Sequence, residues 1–94
     1  MLEIEMMETI KSNMPVAAGY ELLAEECVEC AHAALKMARI IRAENPTPVL
    51  LEDARANLRE EISDIATVLR LFHIKPDEQI IHDKLERWAQ RLGE

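Results

Sequence analysis

A chain of 94 residues is one domain, near the lower end of what folds comfortably alone. Its formal charge of −7 disfavours a nucleic-acid backbone or an anionic membrane as a docking surface, so neither is an expected partner. Apolar residues make up 49% of the chain but aromatics only 3%, so the core must be built from aliphatic side chains and Ala, which suits helix packing.

Leu2, Met6 and Ile10 recur at i, i+4 and i+8, which predicts a short amphipathic helix over 2–11. Its length makes it marginal without tertiary support. Ser12 and Asn13 interrupt it, Pro15 fixes a turn or a new start, and Gly19 suggests a loose junction. A second helix is expected from about residue 17, or as early as Val16, to Arg42, because the segment is rich in Ala, Leu, Glu and Met. Lys36, Arg39 and Arg42 complement the macrodipole toward its C-terminal end. Asn45-Pro46-Thr47-Pro48 then breaks the chain.

A third helix is predicted from about Leu51 to His73, with Lys75-Pro76 closing it. Asp77 can cap a fourth, which carries Ile81, Leu85, Trp88 and Leu92 on one face and ends near Gly93. No strand pattern and no internal repeat is visible. The expected fold is all-α and bundle-like, with a core over about 17–92, and short connections make helices two and three antiparallel neighbours. A small chain with several apolar stripes often completes its core by oligomerising. No apolar run reaches the length of a membrane span and no basic region precedes an apolar leader, so the expected location is cytoplasmic. Cys27 and Cys30 are the only cysteines, which fits a reducing compartment, and both are expected to be small buried residues rather than redox or zinc groups.

Two acidic clusters stand out against this pattern. At about 100° per residue, Glu26 and Glu29 share a side with Leu22, Cys30, Ala33, Met37 and Ile40. Glu61 and Asp64 share a side with Leu58, Ile65, Val68 and Phe72. Charge runs are usually solvated faces, but both of these pairs lie on the inward phase. Unpaired carboxylates in low dielectric are costly, and antiparallel packing brings all four to one level, where they repel. A divalent metal resolves the conflict, and hard oxygen ligands select Mg²⁺ or Mn²⁺ over zinc. Asn57 falls beside Glu61 and Asp64.

Glu25-Glu26-x-x-Glu29 followed by Glu61-x-x-Asp64 resembles the MazG-like, all-α nucleoside triphosphate pyrophosphohydrolase family. The Asn45-Pro46-Thr47-Pro48 loop, the run Glu60 to Ile65 and the segment Lys84 to Leu92 resemble its compact, phage-like branch. The resemblance covers most of the chain from about Glu21. It implies Mg²⁺-dependent hydrolysis of a ribo- or deoxyribonucleoside triphosphate between the α and β phosphates, and assembly as a homodimer or homotetramer. It makes Glu26, Glu29, Glu61 and Asp64 the metal ligands and gives Glu25 a part in orienting water or a further metal. Asn57, Lys84 and Arg91 become candidate phosphate contacts, and Trp88 a candidate base contact against the plainer role of core or interface residue.

Three other readings fit parts of the pattern. Phosphoribosyl-ATP pyrophosphohydrolase shares the implied architecture and bond type. A carboxylate-bridged di-iron bundle is suggested by Glu29-x-x-His32, but it lacks the second such motif. A non-catalytic oligomerisation module explains the apolar stripes but leaves four inward acids without a purpose.

Overall fold

The computed structural model describes residues 1–43 and 49–93, so the predicted break at Asn45-Pro46-Thr47-Pro48 lies outside the described residues. Among those described there are four helices and no strand: α1 (Glu3–Ser12), α2 (Val16–Arg42), α3 (Leu51–Leu71) and α4 (Glu78–Leu92). The all-α expectation therefore holds, and the boundaries fall close to those read from the pattern. None of the described helices is long and apolar enough to cross a membrane.

Local chemistry explains the ends. Pro15, with φ −58°, precedes α2 and supplies the extended entry that its ring favours. Arg39 and Arg42 occupy the last turn of α2, where cations oppose the negative end of the dipole. Glu52 and Asp53 lie in the first turn of α3 and Arg70 in its last, the same polarity again. The Asp77 carboxylate accepts hydrogen bonds from the Gln79 and Ile80 backbone N–H groups at 2.9 and 3.1 Å, as the capping prediction required.

Helices α2 and α3 form the one extensive helix–helix packing among the described residues. They run antiparallel. Gly19 and Tyr20 near the start of α2 meet Phe72 just beyond α3, whereas Ala33 and Arg39 share a pocket with Asn57 near the start of α3. The core is small-sided, with Gly19 and Ala33 buried on α2 and Ala54, Val68 and Leu71 on α3. Gly19 is no loose junction. It lies inside α2, and a Cβ there would collide with the Phe72 ring, which also stacks on Tyr20 with centroids 6.2 Å apart. Cys27 is exposed rather than buried, and Cys30 is half-buried.

The outer helices differ from the bundle that the apolar stripes suggest. Neither α1 nor α4 buries a residue. An ion pair of 2.6 Å between Arg70 and Glu3 ties α1 to α3. Ile81, Leu85, Trp88 and Leu92 do share one face of α4, but no described residue covers it, and Leu85 and Trp88 are each 58% exposed. The chain exposes 7718 Å² in all, against about 5,500 Å² for a compact monomer of this mass. Its radius of gyration of 17.2 Å likewise exceeds the roughly 12 Å of a compact domain of this length.

Gly19→Ala tests the close approach. Helix propensity alone would favour Ala by about 1 kcal/mol, whereas overpacking costs about 1–3 kcal/mol. We expect a net loss of stability in urea titration, partly restored by adding Phe72→Leu. A gain from the single substitution would mean that the ring moves aside without cost.

Candidate metal centre

The inward phase of the acidic pairs is realised at the middle of the α2–α3 seam. Glu26 and Glu61 are half-buried and Glu29 is exposed, and one carboxylate oxygen from each lies within 4.8 Å of the other two. Surface acids often cluster without an ion, so this proximity alone assigns nothing. A second observation concerns individual atoms. Glu26 Oε2 and Glu61 Oε2 are both out of solvent and have no hydrogen-bond partner. Buried polar atoms are ordinarily satisfied, and two orphaned oxygens across one seam are an uncompensated strain.

The electrostatics agree with the geometry. Desolvation holds the Glu26 carboxyl above the usual glutamate range, and the charges of Asp64, Glu29, Glu61 and Glu25 add to it in that order. The Glu61 carboxyl is raised for the same first reason, then by Glu29, Asp64 and Glu60. Each group is thus pushed toward protonation by burial and by the carboxylates nearest it, and at Glu61 a side-chain hydrogen bond with Glu29 adds to the effect. A cation of two charges would offset both effects, the cost of the buried charge and the repulsion between the carboxylates. The donor set is all carboxylate, which suits Mg²⁺ or Mn²⁺ rather than a soft metal. The residues present fit such an ion.

Asp64 is half-buried and close enough to raise both neighbours, but it stands outside the three-oxygen group. Glu25 is exposed, in line with its outward phase. Asn57 joins Glu29 and Glu61 in a cavity of about 280 Å³, together with His32, Ala33, Lys36 and Arg39. Lys84, Trp88 and Arg91 are absent from the lining of that cavity. Trp88 and Arg91 instead line a shallow dent with Leu92 on α4 itself. The sequence pattern had offered His32 only through the Glu29-x-x-His32 motif of an iron site, and Lys36 and Arg39 only as charges opposing the helix dipole. The signal was available, because Lys36 lies seven residues after Glu29 and hence almost in phase with it.

Two outcomes follow from the raised carboxyls. A folded-state pKa above the unfolded one means that ionisation lowers stability: the penalty is absent below the unfolded value, near 4.5, and complete above the raised value. The metal-free double variant Glu26→Gln/Glu61→Gln should therefore gain melting temperature over the unsubstituted protein as pH rises from 4.5 toward neutrality. A constant difference across that range would contradict the assignment. Mg²⁺ at ten times its Kd should stabilise the unsubstituted protein by about 1.4 kcal/mol, or about 6–11 °C, and leave the double variant unmoved. Equal shifts in both proteins would place the ion elsewhere.

Comparison of the chain with protein-family models, with curated proteins and with solved structures finds no match in any of the three.

Proposed function

We propose that this protein is a divalent-metal-dependent hydrolase that cleaves a nucleoside triphosphate between its α and β phosphates, giving the monophosphate and pyrophosphate. The observation that carries this reading is the pair of orphaned carboxylate oxygens, Glu26 Oε2 and Glu61 Oε2, opposed across the α2–α3 seam beside Glu29. The resemblance of the acidic pattern to MazG-like enzymes supplies the substrate class, and nucleotide-pool housecleaning is the role that fits it.

Glu26, Glu29 and Glu61 would hold the ion, and Asp64, whose charge raises both Glu26 and Glu61, would add to the negative potential there. Mg²⁺ bound there supplies neutralisation of the triphosphate and stabilisation of the charge that develops on the leaving pyrophosphate. A water oxygen bonds to the α-phosphorus, the bond from that phosphorus to the bridging oxygen breaks, and pyrophosphate leaves with the electron pair while a proton passes to solvent. Asn57 stands beside Glu29 and Glu61, where its amide can donate to a phosphate oxygen or fix a carboxylate. Glu25 is exposed, within one residue of the ligands, and orients water only from the rim.

The working unit in this reading is a homodimer or homotetramer. The surplus of about 2,000 Å² over a compact monomer matches what each subunit of an obligate dimer buries, as such interfaces remove roughly 2,000–5,000 Å² in total. The uncovered face of α4 is the natural contribution, and it would carry Trp88, Lys84 and Arg91 toward another copy.

Incubation with a panel of ribo- and deoxyribonucleoside triphosphates and Mg²⁺ should yield monophosphate and pyrophosphate in equal amounts. Removing an outer partner of a metal ligand typically costs about 10–100-fold, so loss of a ligand in Glu61→Gln should exceed that. Orthophosphate as the first product would mean a different bond and a different enzyme. Light scattering should give a mass of two or four chains, and a monomer with a compact scattering profile would refute the assembly.

A further inference from the structure

The cavity that adjoins the carboxylates has a polarity that the metal ligands do not use. Glu29 and Glu61 line it together with Lys36 and Arg39, and His32 and Asn57, each one turn along its helix from a carboxylate toward the C-terminal half of α2, line it too. Its volume of about 280 Å³ lies near the lower end of small-molecule sites, which run from roughly 300 to 1,000 Å³. Lys36 stands two helical turns after Glu29, about 10 Å along α2. Side chains on a helix lean toward its N-terminus, so the Lys36 and Arg39 stems lean back toward the carboxylates.

The side chains of Lys36 and Arg39 make no hydrogen bond or ion pair among the described residues. The two ion pairs found there join Arg70 to Glu3 and His82 to Glu86. Two free cations therefore face the same cavity as two carboxylates without closing onto them. A simple anion would be repelled by the acidic part, and a bare cation by the basic part. A ligand with a metal-bearing end and an anionic tail satisfies both.

We infer that Lys36 and Arg39 form the binding subsite for the terminal phosphates of the substrate, and hence for the pyrophosphate product. The chain of phosphates then runs from Glu29 and Glu61 toward the C-terminal half of α2, and the nucleoside end points the other way. This inference rests on the proposed hydrolase reading and fixes the direction in which that substrate lies. It assigns the phosphate contacts to α2 of the same chain rather than to Lys84 and Arg91 on α4.

The test is calorimetric titration with Mg²⁺ alone and then with inorganic pyrophosphate at saturating Mg²⁺. The unsubstituted protein is compared with Lys36→Met/Arg39→Met and with Lys84→Met/Arg91→Met. The first double variant should bind pyrophosphate at least about 10–100-fold more weakly, the loss of one or more charge-assisted contacts. Its affinity for Mg²⁺ alone should be unchanged or tighter, since two cations have left the neighbourhood. The α4 variant should match the unsubstituted protein in both titrations. Unchanged pyrophosphate affinity in Lys36→Met/Arg39→Met, with Mg²⁺ binding intact, would overturn the subsite and leave the hydrolase reading standing. Failure of the unsubstituted protein to bind either would overturn both. In turnover, the α2 variant should show a raised KM with a smaller change in kcat, whereas a merely structural role would lower thermal stability and leave KM alone.

Discussion

The opposition of Glu26 and Glu61 across the α2–α3 seam is the constraint on which the rest of the site depends. Both carboxyls are desolvated, both are raised by surrounding anions, and each leaves an oxygen without a hydrogen bond. A seam built only for stability would place aliphatic residues at these levels, as at Ala33, Ala54, Val68 and Leu71. Perturbed carboxylates concentrate at functional sites, and a cation or a reaction at this seam would account for keeping them. The small residues matter to this geometry. Gly19 lets the Phe72 ring lie against the α2 backbone at one end of the seam, which brings the two helices close.

Much of this was legible in the sequence. A period near 3.6 placed Glu26, Glu61 and Asp64 among residues that are half-buried in the structure, and Asp77 announced the start of α4 through its spacing to the first helical N–H groups. Glu29 was read with them, and it reaches the carboxylate group from an exposed position. What periodicity cannot supply is the partner of a face. The stripe of Ile81, Leu85, Trp88 and Leu92 was visible, but a stripe is silent on whether its own chain or another covers it. Gly19 was misread for the same reason. Glycine weakens a helix locally, and only the position of Phe72, 53 residues away in sequence, explains why nothing larger fits (72 minus 19). Lys36 and Arg39 had a sufficient local explanation in the helix dipole, which masked their place beside Asn57 and Glu61.

The outer helices and the site are linked through exposure. An antiparallel pair of α2 and α3 has too few buried residues to stand as a small domain without further support. The uncovered α4 face and the loosely held α1 are the surfaces from which that support can come, and they leave the carboxylate centre and its basic flank open at the side of the pair. Assembly would then complete the core without closing the cavity, and the phosphate contacts on α2 would be present in every copy. Under the proposed function, stability and substrate binding would fall on different faces of the same short chain.

The central claim is that the seam carboxylates hold a divalent cation. Mn²⁺ titration followed by electron paramagnetic resonance tests it most directly, because free Mn²⁺ gives a sharp signal that binding broadens away. The account predicts saturable loss of the free signal with the unsubstituted protein, competition by Mg²⁺, and no such loss with Glu26→Gln/Glu61→Gln. A free signal that is undiminished by the unsubstituted protein, or equally diminished by the double variant, would contradict it.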